Sequence, residues 1–262
     1  MSLIVAIPKS ASSALVETLA ATHALSVDTR RIRDEVLLRR PIAPGYWHAA
    51  QFHRRDFVEL DERVAGVLAA RDRLAKFHFP PTPRNQAVLQ RVPKVILLRD
   101  AEEIVSAYRR GEETGAWPTK SYEFAFCFSE RGWQQRGRAT GLSDELRRFA
   151  EGWRAHDGDK LVLESSELIA EPARSLARVE AYLGLPPSSL SALRHERFSR
   201  TTATRSVPRM LWRRRMLILR RAIAEANRLV AGDAEWAHRL FESRRKSRAA
   251  PIEDAPARQP AR

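Results

Sequence analysis

The chain has 262 residues, 46 Lys and Arg against 32 Asp and Glu, a formal charge of +14 and an isoelectric point near 10.9. With 44% hydrophobic and 30% charged residues it is too apolar for a disordered chain. At this length folding hides roughly 70–75% of the unfolded surface, which allows one large core. The lone cysteine, Cys127, excludes an intramolecular disulfide and a cysteine-based zinc cluster. No apolar run approaches the ~20 residues that cross a bilayer, and the opening MSLIVAIPKS reaches Pro8 and Lys9 too early for a signal-peptide core. A cytoplasmic protein with no membrane insertion is expected.

In chain order, apolar runs alternate with helical patterns, which predicts an α/β fold. Four runs read as buried parallel strands: Leu3–Ile7, Arg73–Phe79, Lys94–Leu98 and Lys160–Leu163. Ser12–His23 opens with hydroxyl residues suited to an N-cap and sets Leu15, Leu19 and Thr22 on one side of a helix. Glu102–Arg110 begins with acids and ends with arginines, matching the helix dipole. Pro172–Leu183 starts with a first-turn proline and stops at Gly184. A further basic helix is predicted over Met210–Val230. The segments Tyr46–His53 and Trp117–Arg138 lack a clear period and read as loops or short helices capping the site. Residues 1–242 are expected to form one domain, followed by a disordered tail over 243–262, rich in Arg, Ala and Pro. Between Arg194 and Arg248 there are 16 Lys or Arg and 5 Asp or Glu, so a surplus of 11 lies in that stretch. Such a patch suits a polyanion or simply a solvated face.

Three constellations carry candidate chemistry. Ile7-Pro8-Lys9-Ser10-Ala11-Ser12-Ser13 lies between a strand and a helix, where backbone N–H groups and the positive end of the helix dipole favour a phosphate. Lys9 adds a cation, and Ser10, Ser12 and Ser13 add hydroxyl donors. Both glycines of a Walker A loop are missing. Lys76-Phe77-His78-Phe79-Pro80 puts an imidazole at the C-terminal end of a strand, where open parallel sheets bind their ligands. His78 there is either a hydrogen-bonded core residue or a general base. Arg99 closes the strand Lys94–Leu98, where its guanidinium either forks onto a phosphate or pairs with Asp100 or Glu102. No metal site is expected.

In their order these elements resemble the sulfotransferases that use 3′-phosphoadenosine 5′-phosphosulfate (PAPS) and release 3′,5′-ADP. IPKSASSALVETL is similar to that family's PKSGTTWL loop, KFHFP to its KTHLP segment, and KVILLRDAEEIVSAYRR to its 3′-phosphate strand and helix. LVLESSELIAEPARSLARVEAYLGLPP, preceded by Trp153, is similar to its YEDLxxDP…LxxFLGL signature. The resemblance implies a P-loop-NTPase-like parallel sheet of four to five strands flanked by helices, with a helical C-terminal part. It implies metal-independent sulfuryl transfer from PAPS to a hydroxyl acceptor, a glycan, lipid or small molecule, anionic or carbohydrate in character. Lys9, Ser10, Ala11, Ser12 and Ser13 would hold the 5′-phosphosulfate, with Lys9 on the leaving phosphate and Lys76 on the sulfuryl oxygens. His78 would take the acceptor proton. Arg99, Ser106 and Arg200, the last in FSRTT, would hold the 3′-phosphate.

Departures from the family pattern carry expectations of their own. Ala11 replaces the loop glycine, so a positive φ there is strained. Ala14 and Ser165 replace aromatic residues that contact adenine in that family, so adenine contacts come from elsewhere. The Arg99-to-Ser106 spacing is one residue short, which turns Ser106 by about 100° on its helix. Phe77 replaces a threonine and fits if it faces the core. Trp47, His48, His53, Trp117, Tyr122 and Trp133 are candidates for an acceptor pocket or for packing. The alternatives are an ATP-using P-loop-like enzyme and a non-enzymatic binder of nucleic acid or another polyanion.

Overall fold

A computed structural model describes residues 2–37, 40–53, 55–68, 73–113, 124, 127, 129–193, 226 and 232. The chain divides into two units, Met1–Leu211 and Trp212–Arg262, and the sheet with its flanking helices belongs to the first. Arg200, Trp117, Tyr122, the tail 243–262, nearly all of the predicted helix 210–230 and nearly all of the basic stretch 194–248 lie outside the described residues.

Five strands form one parallel sheet: β1 (Ser2–Ala6), β2 (Ser26–Val27), β3 (Arg73–Phe77), β4 (Lys94–Leu98) and β5 (Lys160–Glu164), in the order β2-β3-β1-β4-β5. The sheet pairs Ile4 with Lys76 on one side and with Val95 on the other, and Leu97 with Leu163 further along. This is the predicted α/β class, with β2 as an added two-residue edge strand. Strands β1 and β4 are buried on both faces, which is why they read as unbroken apolar runs rather than alternating ones.

Alternate residues feed two cores. Leu3, Val5, Phe77, Ile96 and Leu98 face α3 (Trp47–His53), α4 (Glu62–Leu68), α6 (Ala101–Glu113), α7 (Glu130–Thr140) and α8 (Leu142–Ala155). Ile4, Ala6, Leu74, Val95 and Leu97 face α1 (Ser12–Thr22), α9 (Ser165–Ala170) and α10 (Pro172–Leu183). The short α2 (Thr29–Ile32) runs into a π-helical turn over Arg33–Leu37, and α5 (Pro83–Val88) is capped by the Thr82 hydroxyl, which accepts from Asn85 N. Helix α10 ends at Gly184, whose left-handed φ of 66° closes it as predicted.

Two buried ionisable side chains serve the fold. Glu145 of α8 accepts from the backbone N–H of His48 (3.1 Å) and Ala49 (2.7 Å), so a carboxylate sits at the positive N-terminal end of α3. Lys94, at the start of β4, donates to the carbonyls of Val92 and Asp159, both at 2.9 Å, and burial brings its pKa down to about 8. It stands at the strand ends away from the candidate site and serves the fold.

Helix α8 also fixes the segment that leaves β3. Trp153 Nε1 donates to the Phe79 carbonyl at 2.8 Å, and Gln86 Nε2 to the Gly152 carbonyl at 2.8 Å. The approach is so close that a Cβ on Gly152 would lie 2.6 Å from Pro81 Cγ, a ring that cannot swing aside. Gly152→Ala is expected to cost about 1–3 kcal/mol by overpacking. An unchanged thermal unfolding midpoint in that variant would show that α8 does not brace the β3 exit.

Candidate active site

The C-terminal ends of β3, β1 and β4 lie side by side, and each is followed by one candidate side chain. Beyond β1 the chain enters a tight loop in which Lys9 (φ 64°) and Ala11 (φ 63°) are both left-handed. Inside it, the buried Ser10 hydroxyl donates to the Ile7 carbonyl at 2.7 Å. Ala11 thus occupies the strained conformation expected where the resembling family carries glycine.

The expected hydroxyl N-cap on α1 is absent. Ala11 is the N-cap residue, no side chain caps the helix, and Ser12 and Ser13 lie inside its first turn. The propensity of serine for caps yields to the loop, whose left-handed Ala11 sets the helix start one residue earlier. No side chain takes up the backbone N–H groups of that first turn, an arrangement suited to an anion.

Lys9 is half-buried, and its pKa is brought down to about 7, first by burial and then by the neighbouring Lys76 ammonium. Its Nζ lies 5.7 Å from the centre of the Tyr108 ring, a cation–π contact supplied by α6. Tyr108 itself stacks on Phe52 of α3 at 4.2 Å. From the β4 side, Arg99 Nη1 donates to the Lys9 carbonyl at 2.6 Å and Nε to Glu103 at 2.8 Å. The ion pair is therefore with Glu103, one helical turn on, and not with Asp100 or Glu102. Two of the five guanidinium N–H groups are engaged by these bonds, and Arg99 braces the Lys9 loop.

His78 follows β3 directly and is buried. Its Nδ1 faces the Ala6 carbonyl at 2.5 Å. A carbonyl only accepts, so Nδ1 carries the proton and the neutral ring keeps its lone pair on Nε2. Burial first, then the Lys76 charge, hold the imidazole well below its ordinary pKa; the Ala6 bond works the other way, and Arg33 and Lys9 lower it further. Lys76, two residues back, is half-buried on the α1 side of the sheet, in register with Ile4. Phe77 points the opposite way, fully buried and stacked on Phe79 at 4.6 Å, as its replacement of threonine requires.

Three further residues complete this cluster: His53, which the sequence offers as a candidate for an acceptor pocket or for packing, and Asp56 and Arg33, which no local pattern marks. After α3 the chain turns, with Asp56 N–H donating to the His53 carbonyl at 3.0 Å, and lays both side chains against His78. The His53 and His78 ring centres are 4.8 Å apart, and burial holds His53 well below its ordinary pKa as well. Asp56 Oδ2 lies 4.0 Å from His78 Nε2. Arg33, at the start of the π-helical turn, grips the same carboxylate with two parallel bonds, Nε to Oδ1 at 2.7 Å and Nη2 to Oδ2 at 3.0 Å. Arg33 and Asp56 are 23 positions apart in segments without a repeating pattern, so no periodicity links them. A short π-helical turn is a frequent local mark of function, but only coordinates reveal it.

Lys9, Lys76, His78 and Arg99 thus share one corner of the sheet, whereas Ser106 turns to α7, where Gln134 Nε2 donates to its hydroxyl at 3.3 Å. Ala14 and Ser165 are both buried, and neither offers a surface for stacking a base. Of the aromatic candidates, Trp133 is core, with Nε1 donating to the Cys127 carbonyl; His48 is held by Glu145; Trp47 is 58% exposed. Among the described residues, no group of three or more His, Cys, Asp or Glu forms a metal-holding arrangement, and no helix is long and apolar enough to cross a membrane.

No protein-family model matches the chain, and no curated protein matches it. Among solved structures it is similar to a sulfotransferase from Alicyclobacillus acidocaldarius, at 15% identity over 78% of this chain and 85% of that one, with a TM-score of 0.46. It is also similar to a mouse sulfotransferase crystallised with PAP, at 13% identity over 71% of this chain and 59% of that one, TM-score 0.45. A third likeness is to retinol dehydratase in complex with androsterone and PAP, at 17% identity over 77% of this chain and 62% of that one, TM-score 0.39. Likenesses of this degree assign no residue a role; the roles rest on the side chains themselves.

Proposed function

We propose that the chain is a cytoplasmic sulfotransferase that moves the sulfuryl group of PAPS to a hydroxyl acceptor. The observation that carries this reading is the convergence, at adjacent strand ends, of an uncapped helix N-terminus, a half-buried lysine and a neutral imidazole with its lone pair on Nε2. A phosphosulfate fits that arrangement. The first-turn amides of α1 receive phosphate oxygens, and Lys9 supplies the charge they need.

In the reaction His78 Nε2 takes the proton of the acceptor hydroxyl as its oxygen attacks sulfur in line. Lys9 stabilises the charge that grows on the departing 5′-phosphate, and Lys76 faces the sulfuryl oxygens. Ser12 and Ser13 donate to the phosphate from within the helix, while Ser10 and Arg99 keep the loop in shape. The 3′-phosphate is held by the remaining donors of Arg99, with Arg200 and with Ser106, whose hydroxyl accepts from Gln134 and keeps its own proton to donate, as the partners that the sequence resemblance names. The adenine takes its contacts from residues other than Ala14 and Ser165.

The reading is tested by thermal unfolding with 3′,5′-ADP and, separately, with Mg-ATP. A ligand at 100 times its Kd adds about 2.7 kcal/mol to stability, and 3′,5′-ADP is expected to raise the midpoint while Mg-ATP does not. A larger shift with Mg-ATP favours the ATP-using alternative. No shift with millimolar 3′,5′-ADP overturns the assignment.

A further inference from the structure

Resting on the sulfuryl-transfer reading and deepening it, we propose that Asp56, clamped by Arg33, is the positioning residue that balances the charge His78 acquires in the reaction. The geometry is specific. Asp56 is buried, its carboxylate is fixed by two parallel bonds from Arg33, and Oδ2 stands 4.0 Å from Nε2, the nitrogen that the Ala6 carbonyl leaves unprotonated. In the neutral state Nε2 and the carboxylate oxygen are both acceptors and form no hydrogen bond. The 4.0 Å separation is short enough for direct attraction once Nε2 carries a proton in a buried site.

The surroundings of His78 show why such a group is needed. The charges that act on it come from Lys76 on β3, Lys9 in the loop after β1 and Arg33 in the π-helical turn; His53 packs on it from the end of α3. All three charged side chains are cations, and Asp56 is the carboxylate described against the ring. As the acceptor oxygen forms its bond to sulfur, its proton passes to Nε2. The sulfur–oxygen bond to the 5′-phosphate breaks, and its electron pair stays on the phosphate beside Lys9. The imidazolium then lies between cations and one carboxylate. Arg33 holds that carboxylate in place, while burial and the Lys76 charge keep His78 neutral until the transfer.

The test uses the full chain labelled with 15N-histidine. The chain has seven histidines, and loss of a signal in His78→Asn assigns the ring. In Asp56→Asn the titration midpoint of His78 is expected to fall by about one pH unit, since an opposite charge within ~4–6 Å shifts a pKa by 1–3 units. Turnover is expected to fall about 10–100-fold with 3′,5′-ADP affinity unchanged, and the acid limb of the rate profile to move to lower pH. A midpoint that stays put, or a ring that stays neutral to the same pH in both proteins, overturns the proposal whatever turnover does. A displaced midpoint in a protein that binds no 3′,5′-ADP upholds the pair and rejects the sulfotransferase reading instead. If Asp56→Asn does not fold because Arg33 is left buried beside an amide, Arg33→Gln/Asp56→Asn replaces both charges and is compared with Arg33→Gln for the same downward displacement.

Discussion

His78→Asn is expected to lower turnover about 10²–10³-fold while leaving the affinity for 3′,5′-ADP within about threefold of the parent. Asparagine is the informative substitution because its amide can replace the Nδ1–H donated to the Ala6 carbonyl while offering no basic nitrogen at the Nε2 position. Folding and donor binding are then preserved and only the proton acceptor is removed. The pH dependence follows from the same geometry. Burial and the Lys76 charge depress the imidazole, so it is neutral and competent throughout the neutral range, and turnover should fall only as pH drops below the ordinary histidine value of about 6.5. Near-normal turnover in His78→Asn would remove the imidazole from the reaction and leave it as a core residue.

Binding of 3′,5′-ADP is expected to take up a proton above pH 7. Lys9 titrates at about 7 in the unliganded protein because burial and Lys76 oppose its charge. A phosphate placed beside Nζ favours that charge and raises the pKa toward the ordinary lysine value. Below pH 7 Lys9 is already protonated and affinity is insensitive to pH on its account. Above pH 7 each unit of pH costs up to about tenfold in affinity until the liganded pKa is reached. Calorimetry at pH 8 in buffers of different ionisation enthalpy should therefore report about one proton bound. Lys9→Met should abolish this uptake and weaken binding about 10–100-fold, the scale of a charged hydrogen bond. Affinity that stays level from pH 7 to 9 would mean that Lys9 does not meet the phosphate. The apo protein carries the reverse linkage. The unfolded chain binds the Lys9 proton more tightly, so this residue destabilises the fold most below pH 7 and progressively less as pH rises toward 10.5.

Much of the sheet is legible in the sequence because buried parallel strands leave a strong local mark. Lys94–Leu98 and Pro172–Leu183 fall where they are expected, one as a continuous apolar run and the other between a proline and a glycine. The strand predicted over Arg73–Phe79 ends two residues sooner, since His78 spends its side chain rather than its backbone on the neighbouring strand. Helices α3, α7 and α8 are harder to see. Much of what fixes them comes from groups far away in sequence, such as Glu145 at the start of α3 and Phe79 under Trp153.

The candidate site is legible in part for the same reason. Lys9, His78 and Arg99 each follow the end of an apolar strand, so their placement follows from strand order. Asp56, His53 and Tyr108 come from turns and helices that only the tertiary fold brings to that corner. Ser12 marks the limit of local propensity: its hydroxyl suits a cap, yet a left-handed Ala11 decides where α1 begins. Ser106 lies on α6, where its hydroxyl accepts from Gln134 of α7.

A structure of the chain with bound 3′,5′-ADP measures the central claim most directly. The 5′-phosphate should lie within hydrogen-bond reach of the first-turn amides of α1 and of Lys9 Nζ, with His78 Nε2 opening onto the space beyond it. A nucleotide bound anywhere else, or a phosphate that none of these groups touches, would contradict the account.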